Sequence, residues 1–588
     1  MNNLSPMSQR RVQKRMIIMA FFFFLWFLVL TLRLIELQVI DHSRLRAAVI
    51  RQSQSERPII PERGTIYDRH GQILARSLPA PTVCLIPGDD DLPGELFARA
   101  ERLKTIADLS AADLQKIKSR IENGDTYIYI KRKISWDQAE RISNLNLKSV
   151  YIQRESRRFY PLGSLAAHVL GGVNIDGEGQ AGVELQYNSR LEGVKGLSLI
   201  LKDANKRRYG WEILKEPKPG QDLILTIDAT IQYIAERELE RAVREHEANW
   251  GTVIISYPAS GEILAMANSP AYDPNDYPPS PFELSRNRAI QENFEPGSMF
   301  KIVTAAAARE AGAVGFNEVF DCRQGSDRVA GWTINDHKKL GLLTFPEVFI
   351  HSSNVGTIKV GQRVGQDNLY RMIQDFRFGR RTGIDLPGEE AGIFHPLPTW
   401  SRTSLAALSI GYEISVTALQ ILQAMNVVAN GGLLVPFRVT NAGLNPAKFT
   451  PQAPAATIRV ISEKTASDLT RGVFEGVVAE GTGQSARIEG FSAAGKTGTA
   501  RKLDPNLHVY MPDRHLASFV GFVPTDRPAV SIVVVLDEPK FSLQYGGQVA
   551  APVFREIARR VLLYLRQSPR LDPDASAMTA RLQNQDKP

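Results

Sequence analysis

The stretch Glu295-Pro296-Gly297-Ser298-Met299-Phe300-Lys301 carries more information about this chain than any other. It contains the pattern Ser-x-x-Lys, and two short strings follow it, Ser352-Ser353-Asn354 and Lys496-Thr497-Gly498. Ser352 lies 54 residues after Ser298, and Lys496 lies 144 residues further on. By chance, Ser-x-x-Lys should occur roughly twice in a chain of this length, and Lys-Thr-Gly about 0.1 times. Each string alone is weak evidence for a function. The strings become informative because all three occur in this order.

Ser298 and Lys301 have a sequence context that suits nucleophilic chemistry. Pro296 and Gly297 break the chain, and an alanine-rich run follows, which predicts Ser298 at a helix N-terminus. Free N–H groups and the helix dipole favour developing negative charge there. Lys301 lies on the same helical face among apolar neighbours, and burial would leave a neutral amine able to take the serine proton. An isolated Ser-x-x-Lys is more often a capping serine beside an exposed lysine, and the two other strings decide against that reading.

Ser352 and Asn354 are interpreted as polar groups on a turn. There Ser352 can relay a proton and Asn354 can hydrogen-bond a substrate amide, although Ser-Ser-Asn alone is usually an ordinary loop. The string Lys496 to Ala500 is β-prone and predicts an edge strand that pairs with an extended peptide by strand addition. Lys496 would hold a carboxylate nearby, and Gly498 would leave room for close backbone approach.

Composition bounds the classes of protein that remain. The chain has 588 residues, of which 43% are hydrophobic, enough for two or more domains with real cores. The net charge of +8 is spread along the length with no dense basic block, so we expect no nucleic-acid partner. This net charge is compatible with a surface that faces anionic lipid or an acidic polymer. It is equally compatible with the surface of an ordinary soluble protein. With two distant cysteines, no Cys-x-x-Cys and no histidine cluster, we expect neither a metal site nor a cofactor.

Cys84 and Cys322 are each interpreted as small core residues. A disulfide between them stays open in an oxidising compartment, without support from the sequence.

A membrane anchor is predicted near the N-terminus. Residues 16–32 contain no charge and would span about 25 Å as a helix. Four basic residues and no acid precede this segment, whereas both signs of charge follow it, which places residues 1–15 in the cytosol and the bulk of the chain outside. A cleaved signal peptide is the alternative. The apolar segment is long for one, and no small-residue cleavage site follows it.

The rest of the chain reads as an α+β protein. We predict a hairpin at Arg69-His70-Gly71, a helix-rich segment over residues 92–146, and a second hairpin around Pro258–Gly261. Residues 517–523 and 530–536 predict central strands, and residues 553–565 predict a helix. Strands at both ends of a helical region predict one sheet built from both ends of that sequence. The predicted domains are residues 33–230 and residues 231–567, followed by a polar, disordered tail at 568–588.

At this point the chain resembles a class B penicillin-binding protein. The three strings are the set shared by active-serine penicillin-interacting enzymes. The resemblance runs from the anchor to about residue 565, and further matching motifs are Arg63-Gly64, Asp68-Arg69, Arg158 to Pro161, Ala167 to Gly171, Gly182 to Glu184, Ser409 to Tyr412, Gly481 to Gly483, Ala494 to Ala500 and Tyr545 to Gly547. Met299 and Glu413 depart from the family, which would have Thr and Gly there.

The resemblance implies a fold and an activity. The fold would be a transpeptidase domain of the penicillin-binding and serine β-lactamase type, an antiparallel sheet flanked by helices. It would follow an elongated N-terminal domain, the pedestal, residues 33–230, and one transmembrane helix. The activity would be peptidoglycan D,D-transpeptidation: a serine attacks the penultimate D-Ala carbonyl of a stem pentapeptide, D-alanine leaves, and a neighbouring stem's amine takes the acyl group. β-Lactams would trap the acyl-enzyme.

Roles for individual residues are also implied by the resemblance alone. Ser298 would be the nucleophile, Lys301 the general base and Ser352 the proton relay. Asn354 would orient the donor peptide. Lys496 and Thr497 would anchor the carboxylate end, with Gly498 and Thr499 completing the substrate-binding strand. The backbone N–H groups of Ser298 and Thr499 would form the oxyanion hole.

Localisation, partners and branch follow from the same resemblance. We expect a single-pass protein of the bacterial inner membrane with its catalytic domain outside the cytosol. Expected partners are peptidoglycan stem peptides or their lipid-linked precursor polymer, β-lactams, a membrane-embedded glycosyltransferase of the shape, elongation, division and sporulation (SEDS) family, and other division proteins. The motifs look most like the division-specific branch, often called penicillin-binding protein 3. The elongation branch is the alternative, and a sporulation paralogue usually carries an added C-terminal domain.

Three rival classes were considered. A bifunctional enzyme is rejected because Ser156 and Leu162 replace the acid and histidine that its glycosyltransferase motif requires. A serine β-lactamase or β-lactam sensor shares the three strings but does not explain the pedestal motifs. A non-catalytic scaffold is disfavoured by the intact set of reactive residues.

Overall fold

The computed structural model describes residues 6–44, 54–88, 90–202, 208–279, 281–329, 331–441, 456–503, 509–540 and 545–566. The predicted tail, residues 568–588, and its predicted disorder lie outside them. The chain divides into two compact units. The first comprises residues 1–62, 79–157 and 193–219, and the second comprises residues 63–78, 158–192 and 220–588. The predicted domain boundary between residues 230 and 231 stays a prediction.

The first unit begins with a long apolar helix. It spans Pro6–Ile35 and continues as one π-helical turn, Glu36–Ile40. Its apolar side chains face outward, with Phe22 66% and Trp26 62% exposed. A helix of this length and composition can cross a membrane, because burial in lipid removes such side chains from water.

The remainder of the first unit is a small mixed core. Its helices are Pro93–Arg102, Ala111–Glu122 and Trp136–Asn144, and its strands are Gln54–Ile59, the end of Ile73–Leu85, Ile128–Lys131, Val150–Phe159, Gly196–Lys202 and Arg208–Lys215. Ser110 and Ser135 begin two of the helices through capping boxes, which satisfy free N–H groups of the first turn. Leu96, Ile117 and Ile142 fill one core. The helix-rich prediction for residues 92–146 is confirmed.

A five-stranded antiparallel sheet organises the second unit. Its spatial order is Glu262–Ser269, Trp250–Tyr257, Val530–Asp537, Tyr510–Val523 and Ala494–Leu503. The central strand, Val530–Asp537, is buried along its whole length, as its β-branched run predicted. Strands from both ends of the predicted catalytic domain therefore share one sheet, and the predicted α+β class is confirmed.

Two hydrophobic cores cover the faces of this sheet. Alternate residues of the central strand enter different cores, with Ile532 in one and Val533 in the other. The core that contains Ile532 also contains residues of the helices Ala229–Glu245 and Gly546–Tyr564. The core that contains Val533 also contains residues of the helices Lys301–Glu310 and Ala418–Ala429.

The other elements of the second unit are short. Its remaining helices are Ala167–Leu170, Gly182–Gln186, Asn188–Leu191, Arg288–Gln291, Phe345–Ile350, Asn354–Val364, Gln366–Asp375, Ser404–Ser409, Glu463–Leu469 and Glu475–Ala479, and its minor strands are Ile66–Tyr67, the start of Ile73–Leu85, Leu223–Leu225, Val319–Asp321, Ser326–Val329, Trp332–Asn335, Leu342–Thr344, Leu433–Leu434, Thr440–Asn441 and Ile458–Arg459. The hairpins predicted at His70 and at Pro258–Gly261 are both present.

Three residues from separate sequence motifs meet in a buried ion cluster of the second unit. Arg63 Nε and Arg158 Nε each donate to a different oxygen of Glu184, both at 2.6 Å. Glu184 is 0% exposed, so the paired charges offset much of its desolvation cost. These contacts give the motifs around residues 63, 158 and 184 a structural role.

Glu236 makes the stability of the second unit depend on pH. Burial raises the pKa of its carboxyl to about 7, although Gln232 and the Ala166 N–H donate to Oε1. A folded pKa above the unfolded value gives a stability contribution that is full below about pH 4.5 and is lost as the pH rises through 7. We expect Glu236→Gln to gain about 3 kcal/mol relative to the native protein between pH 4.5 and 8, measured by denaturant titration. The exposed Glu240→Gln variant should show no such trend.

Candidate active site

Ser298 lies in the tight turn that opens the helix Lys301–Glu310. Residues Gly297–Phe300 form a single 3₁₀ turn, and Gly297 has a φ of +51°, a conformation that favours glycine. The Gly297 N–H donates to the Gly411 carbonyl at 3.1 Å. A Cβ at Gly297 would lie 3.2 Å from Ala500 Cβ, so the glycine also permits a close approach to the edge strand Ala494–Leu503.

Lys301 is wholly buried. Its Nζ donates to the Ser352 carbonyl and to Asn354 Oδ1, both at 2.8 Å, and lies 3.3 Å from Ser352 Oγ. Burial lowers the pKa of Lys301 to about 7, against the opposing charge of Asp336. The sequence predicted this burial and its effect. Within the described residues, no hydrogen bond joins Lys301 to the Ser298 hydroxyl.

The loop Ser352–Asn354 is held by a carboxylate that the sequence did not single out. Asp336 accepts hydrogen bonds from Ser353 Oγ at 2.7 Å, from the Val355 N–H at 3.1 Å and from the Asn354 N–H. Ser352 itself has a φ of +58°, which needs such support in a residue other than glycine. Asp336 follows the strand Trp332–Asn335, and nothing in the local sequence marks it as a partner of residues 353–355.

Lys496 approaches the same serine from the opposite side. It lies on the edge strand, 0% exposed, and its Nζ donates to Ser352 Oγ at 2.9 Å and to the Thr497 carbonyl at 3.2 Å. Burial first, and then the charge of Lys301, lower the pKa of Lys496 well below its usual value. Ser352 Oγ therefore lies between two lysines whose charged forms are disfavoured.

The edge strand Ala494–Leu503 pairs with Tyr510–Val523 and ends the sheet within the described residues, as predicted. Thr497 Oγ1 and Thr482 Oγ1 are hydrogen-bonded at 2.7 Å, and the Gly546 N–H donates to Thr499 Oγ1 at 3.1 Å. The sequence assigned no role to Thr482.

The structure adds a reason for a glycine at position 498, and the predicted close backbone approach stays a prediction. A Cβ there would lie 2.3 Å from Ser518 Oγ and 2.7 Å from Met299 Cγ, both inside the protein. Gly498 therefore makes room for internal packing beside Met299, the residue that follows Ser298. Met299, one of the two departures from the family, is 0% exposed at this contact.

The second departure, Glu413, lies near the same turn. It has a φ of +58°, and its N–H donates to Glu295 Oε1 at 3.0 Å. A left-handed conformation explains why glycine is usual at such a position.

Two cavities, each of about 530 Å³, meet at Ser298. The first is lined by Asn354, Tyr412 and Arg501, and the second by Ser352, Thr482 and Thr497. A serine at a helix start, a second serine between two buried lysines and an edge strand define an active-serine penicillin-interacting enzyme.

Comparison with known proteins agrees with this class. Residues 251–559 match the penicillin-binding protein transpeptidase domain, and residues 58–225 match the penicillin-binding protein dimerisation domain. Stage V sporulation protein D of Bacillus subtilis is 36% identical, over 96% of this chain and 88% of that protein. Peptidoglycan D,D-transpeptidase FtsI of Escherichia coli is 32% identical, over 92% of this chain and 90% of that protein.

A solved structure is similar over most of the chain. Penicillin-binding protein 3 from Mycobacterium tuberculosis, complexed with ampicillin, has a TM-score of 0.68 and 29% sequence identity, and the match covers 88% of this chain and 98% of that one. The chain therefore belongs to the class B penicillin-binding proteins. It is a serine-type peptidoglycan D,D-transpeptidase. Among the described residues, one helix is long and apolar enough to cross a membrane, which suits a single-pass inner-membrane protein.

Proposed function

We propose that Ser298 is the acylated nucleophile and that Lys301, Ser352 and Lys496 form the proton pathway around it. The observation that carries this proposal is Ser352 Oγ, which lies 3.3 Å from Lys301 Nζ and 2.9 Å from Lys496 Nζ, with both lysines buried. A neutral Lys301 uses its two N–H bonds for the Ser352 carbonyl and Asn354 Oδ1. Its lone pair then remains for the proton of Ser298.

In the first step, Ser298 Oγ attacks the carbonyl carbon of the penultimate D-Ala. Its proton passes to Lys301 and then, through Ser352, to the nitrogen of the leaving D-alanine. The C–N bond breaks, and an ester to Ser298 remains. The N–H groups of Ser298 and Thr499 hold the oxyanion, and they cost no reorganisation because the helix start and the edge strand fix them.

In the second step, an amine from a neighbouring stem attacks the ester carbon. A C–N bond forms, the bond to Ser298 Oγ breaks, and one amine proton returns to that oxygen through Ser352. The donor peptide lies extended along the edge strand, which offers unpaired backbone groups beside Lys496–Thr499. Asn354 orients the donor amide, and Thr497 with Lys496 binds the terminal carboxylate before D-alanine leaves.

Intact-protein mass spectrometry after benzylpenicillin, followed over time, tests the nucleophile. We expect one stable adduct on the native protein and none on Ser298→Ala, whereas Ser467→Ala, an exposed serine on the helix Glu463–Leu469, should react normally. An adduct on the Ser298→Ala variant would contradict the proposal, and a native adduct lost within seconds would favour hydrolysis of the drug over transpeptidation. Normal wall growth with Ser298→Ala would favour the scaffold alternative.

The cellular role we propose is septal wall synthesis during division. The FtsI relative supports this role, while the sporulation relative belongs to a different branch, and elongation remains the alternative. Depletion in the native organism separates these roles. Filaments with unfinished septa would support division, rounded cells would support elongation, and normal growth with failed sporulation would support the third branch.

The proposed topology places residues 1–15 in the cytosol and both domains outside. Arg10, Arg11, Lys14 and Arg15 before the apolar segment support this orientation. Alkaline phosphatase fused after residue 566 should be active, and fluorescent protein fused there should be dark. We further propose that the anchor and pedestal contact a SEDS-family glycosyltransferase, to be tested by crosslinking along residues 16–32.

A further inference from the structure

Among the residues that the structure describes, four line both cavities at the active site. Two of these, Ser298 and Thr499, belong to the reaction site already described, and the other two are His337 and Tyr545. The rings of His337 and Tyr545 contact each other edge to face, with centroids 5.1 Å apart and planes at 78°. This ring pair therefore marks the place where the two cavities join, next to the nucleophile.

The two cavities differ in what they can bind, an argument that rests on the proposed function. The second cavity contains Ser352 and Thr497, which hold the end of the donor that leaves as D-alanine. After D-alanine has left, the acceptor approaches the ester through the space that D-alanine occupied. The first cavity, with Asn354, keeps the rest of the donor stem. His337 and Tyr545 then border both the acyl group and its incoming acceptor.

The surroundings of His337 favour the neutral form of its ring. Partial burial lowers the pKa of His337, and Lys301, Lys496 and Arg501 lower it further whenever they are protonated, while Asp336 beside it acts in the opposite direction. A neutral imidazole has one nitrogen free to accept a hydrogen bond from an amine N–H, and it adds no positive charge to repel that amine. The two rings lie at the junction of the cavities, and Tyr545 is 47% exposed there.

We propose that His337, held against Tyr545, is a specificity-determining residue that favours an amine over water as the acceptor of the acyl group. With an amine, a C–N bond forms, the bond between the acyl carbon and Ser298 Oγ breaks, and one amine proton returns to Ser298. With water, a C–O bond forms in its place and a free carboxylic acid is released. The ring pair raises the ratio of the amine product to the water product and does not affect the acylation step.

The experiment measures product partition with the full-length protein in detergent. The donor is an N-acyl-D-alanyl thioester, the acceptor is D-alanine over a range of concentrations, and chromatography gives the ratio of aminolysis to hydrolysis. We expect His337→Ala to lower this ratio about tenfold, and Tyr545→Ala to lower it similarly. The double variant should add little to either single change, because the two rings act through one contact. Lys339→Ala, an exposed neighbour outside both cavities, should keep the native ratio.

The rate of acylation by benzylpenicillin distinguishes a loss of acceptor selectivity from a folding defect. It also distinguishes that loss from a failure of the proposed mechanism. The acylation rate of His337→Ala should stay within about threefold of the native rate, while hydrolysis of the adduct becomes faster. An unchanged product ratio in His337→Ala, or a ratio that changes in His337→Ala but not in Tyr545→Ala, would overturn the proposal. A native protein that forms no adduct would instead refute the proposed role of Ser298.

Discussion

Replacing Lys301 with methionine should lower the rate constant for acylation by benzylpenicillin by about 10²–10⁴. The methionine fills a similar volume in a site that is 0% exposed, but it cannot take the serine proton. Stopped-flow competition with a fluorescent penicillin measures the rate. The matched control is Lys464→Met, an exposed lysine on the helix Glu463–Leu469, which should react like the native protein.

The pH dependence of the same reaction identifies the group that is lost. Because burial lowers the pKa of Lys301 to about 7, the amine is protonated and inactive below that pH and neutral above it. The native acylation rate should therefore rise with pH to a plateau, with a midpoint near 7. Lys301→Met should lack this rise. A variant that kept the native rise would assign the proton transfer to another group.

Replacing Lys496 with methionine should lower acylation by benzylpenicillin about 10²-fold, through loss of the interaction with the substrate carboxylate. Lys496 loses its charge easily in the unliganded site, because burial and Lys301 lower its pKa. An arriving carboxylate favours the ammonium form again, so binding should be accompanied by proton uptake.

Benzylpenicillin methyl ester provides the control for this second effect, because it lacks the carboxylate. The native protein should prefer the free acid strongly, whereas Lys496→Met should react with acid and ester at similar rates. Lys496→Arg, which keeps a cation, should retain part of the preference. Equal losses for acid and ester in Lys496→Met would indicate a role in proton transfer alone.

Most of the sheet could be predicted because its strands are marked locally. The runs Val530 to Leu536 and Ala517 to Val523 are β-branched and apolar, and they form central strands as expected. The C-terminal helix begins at Gly546, seven residues before its predicted start. Two glycines and Pro552 have low helix preference, but Val549 and Ala550 pack fully buried against the sheet, and this packing outweighs the local preference.

The candidate site was only partly predictable, for a physical reason. Ser298, Lys301, Ser352, Asn354 and Lys496 lie in short strings that can be read one at a time. Asp336 and His337 contact residues that are distant in sequence, so no local pattern reveals them. For Gly498, the pattern identified the residue, but which neighbours it touches depended on the packing of Met299.

The pairing of Trp250–Tyr257 with Val530–Asp537 also bears on when the enzyme becomes competent during its synthesis. These partners are separated by 275 to 287 positions in the sequence, so their association requires closure of a very long loop. The chain is made from its N-terminus, and Ser298 with its helix is complete long before the strands that carry Lys496 and complete the sheet. The site around Ser298 therefore stays incomplete until synthesis has passed Asp537, 239 residues after Ser298.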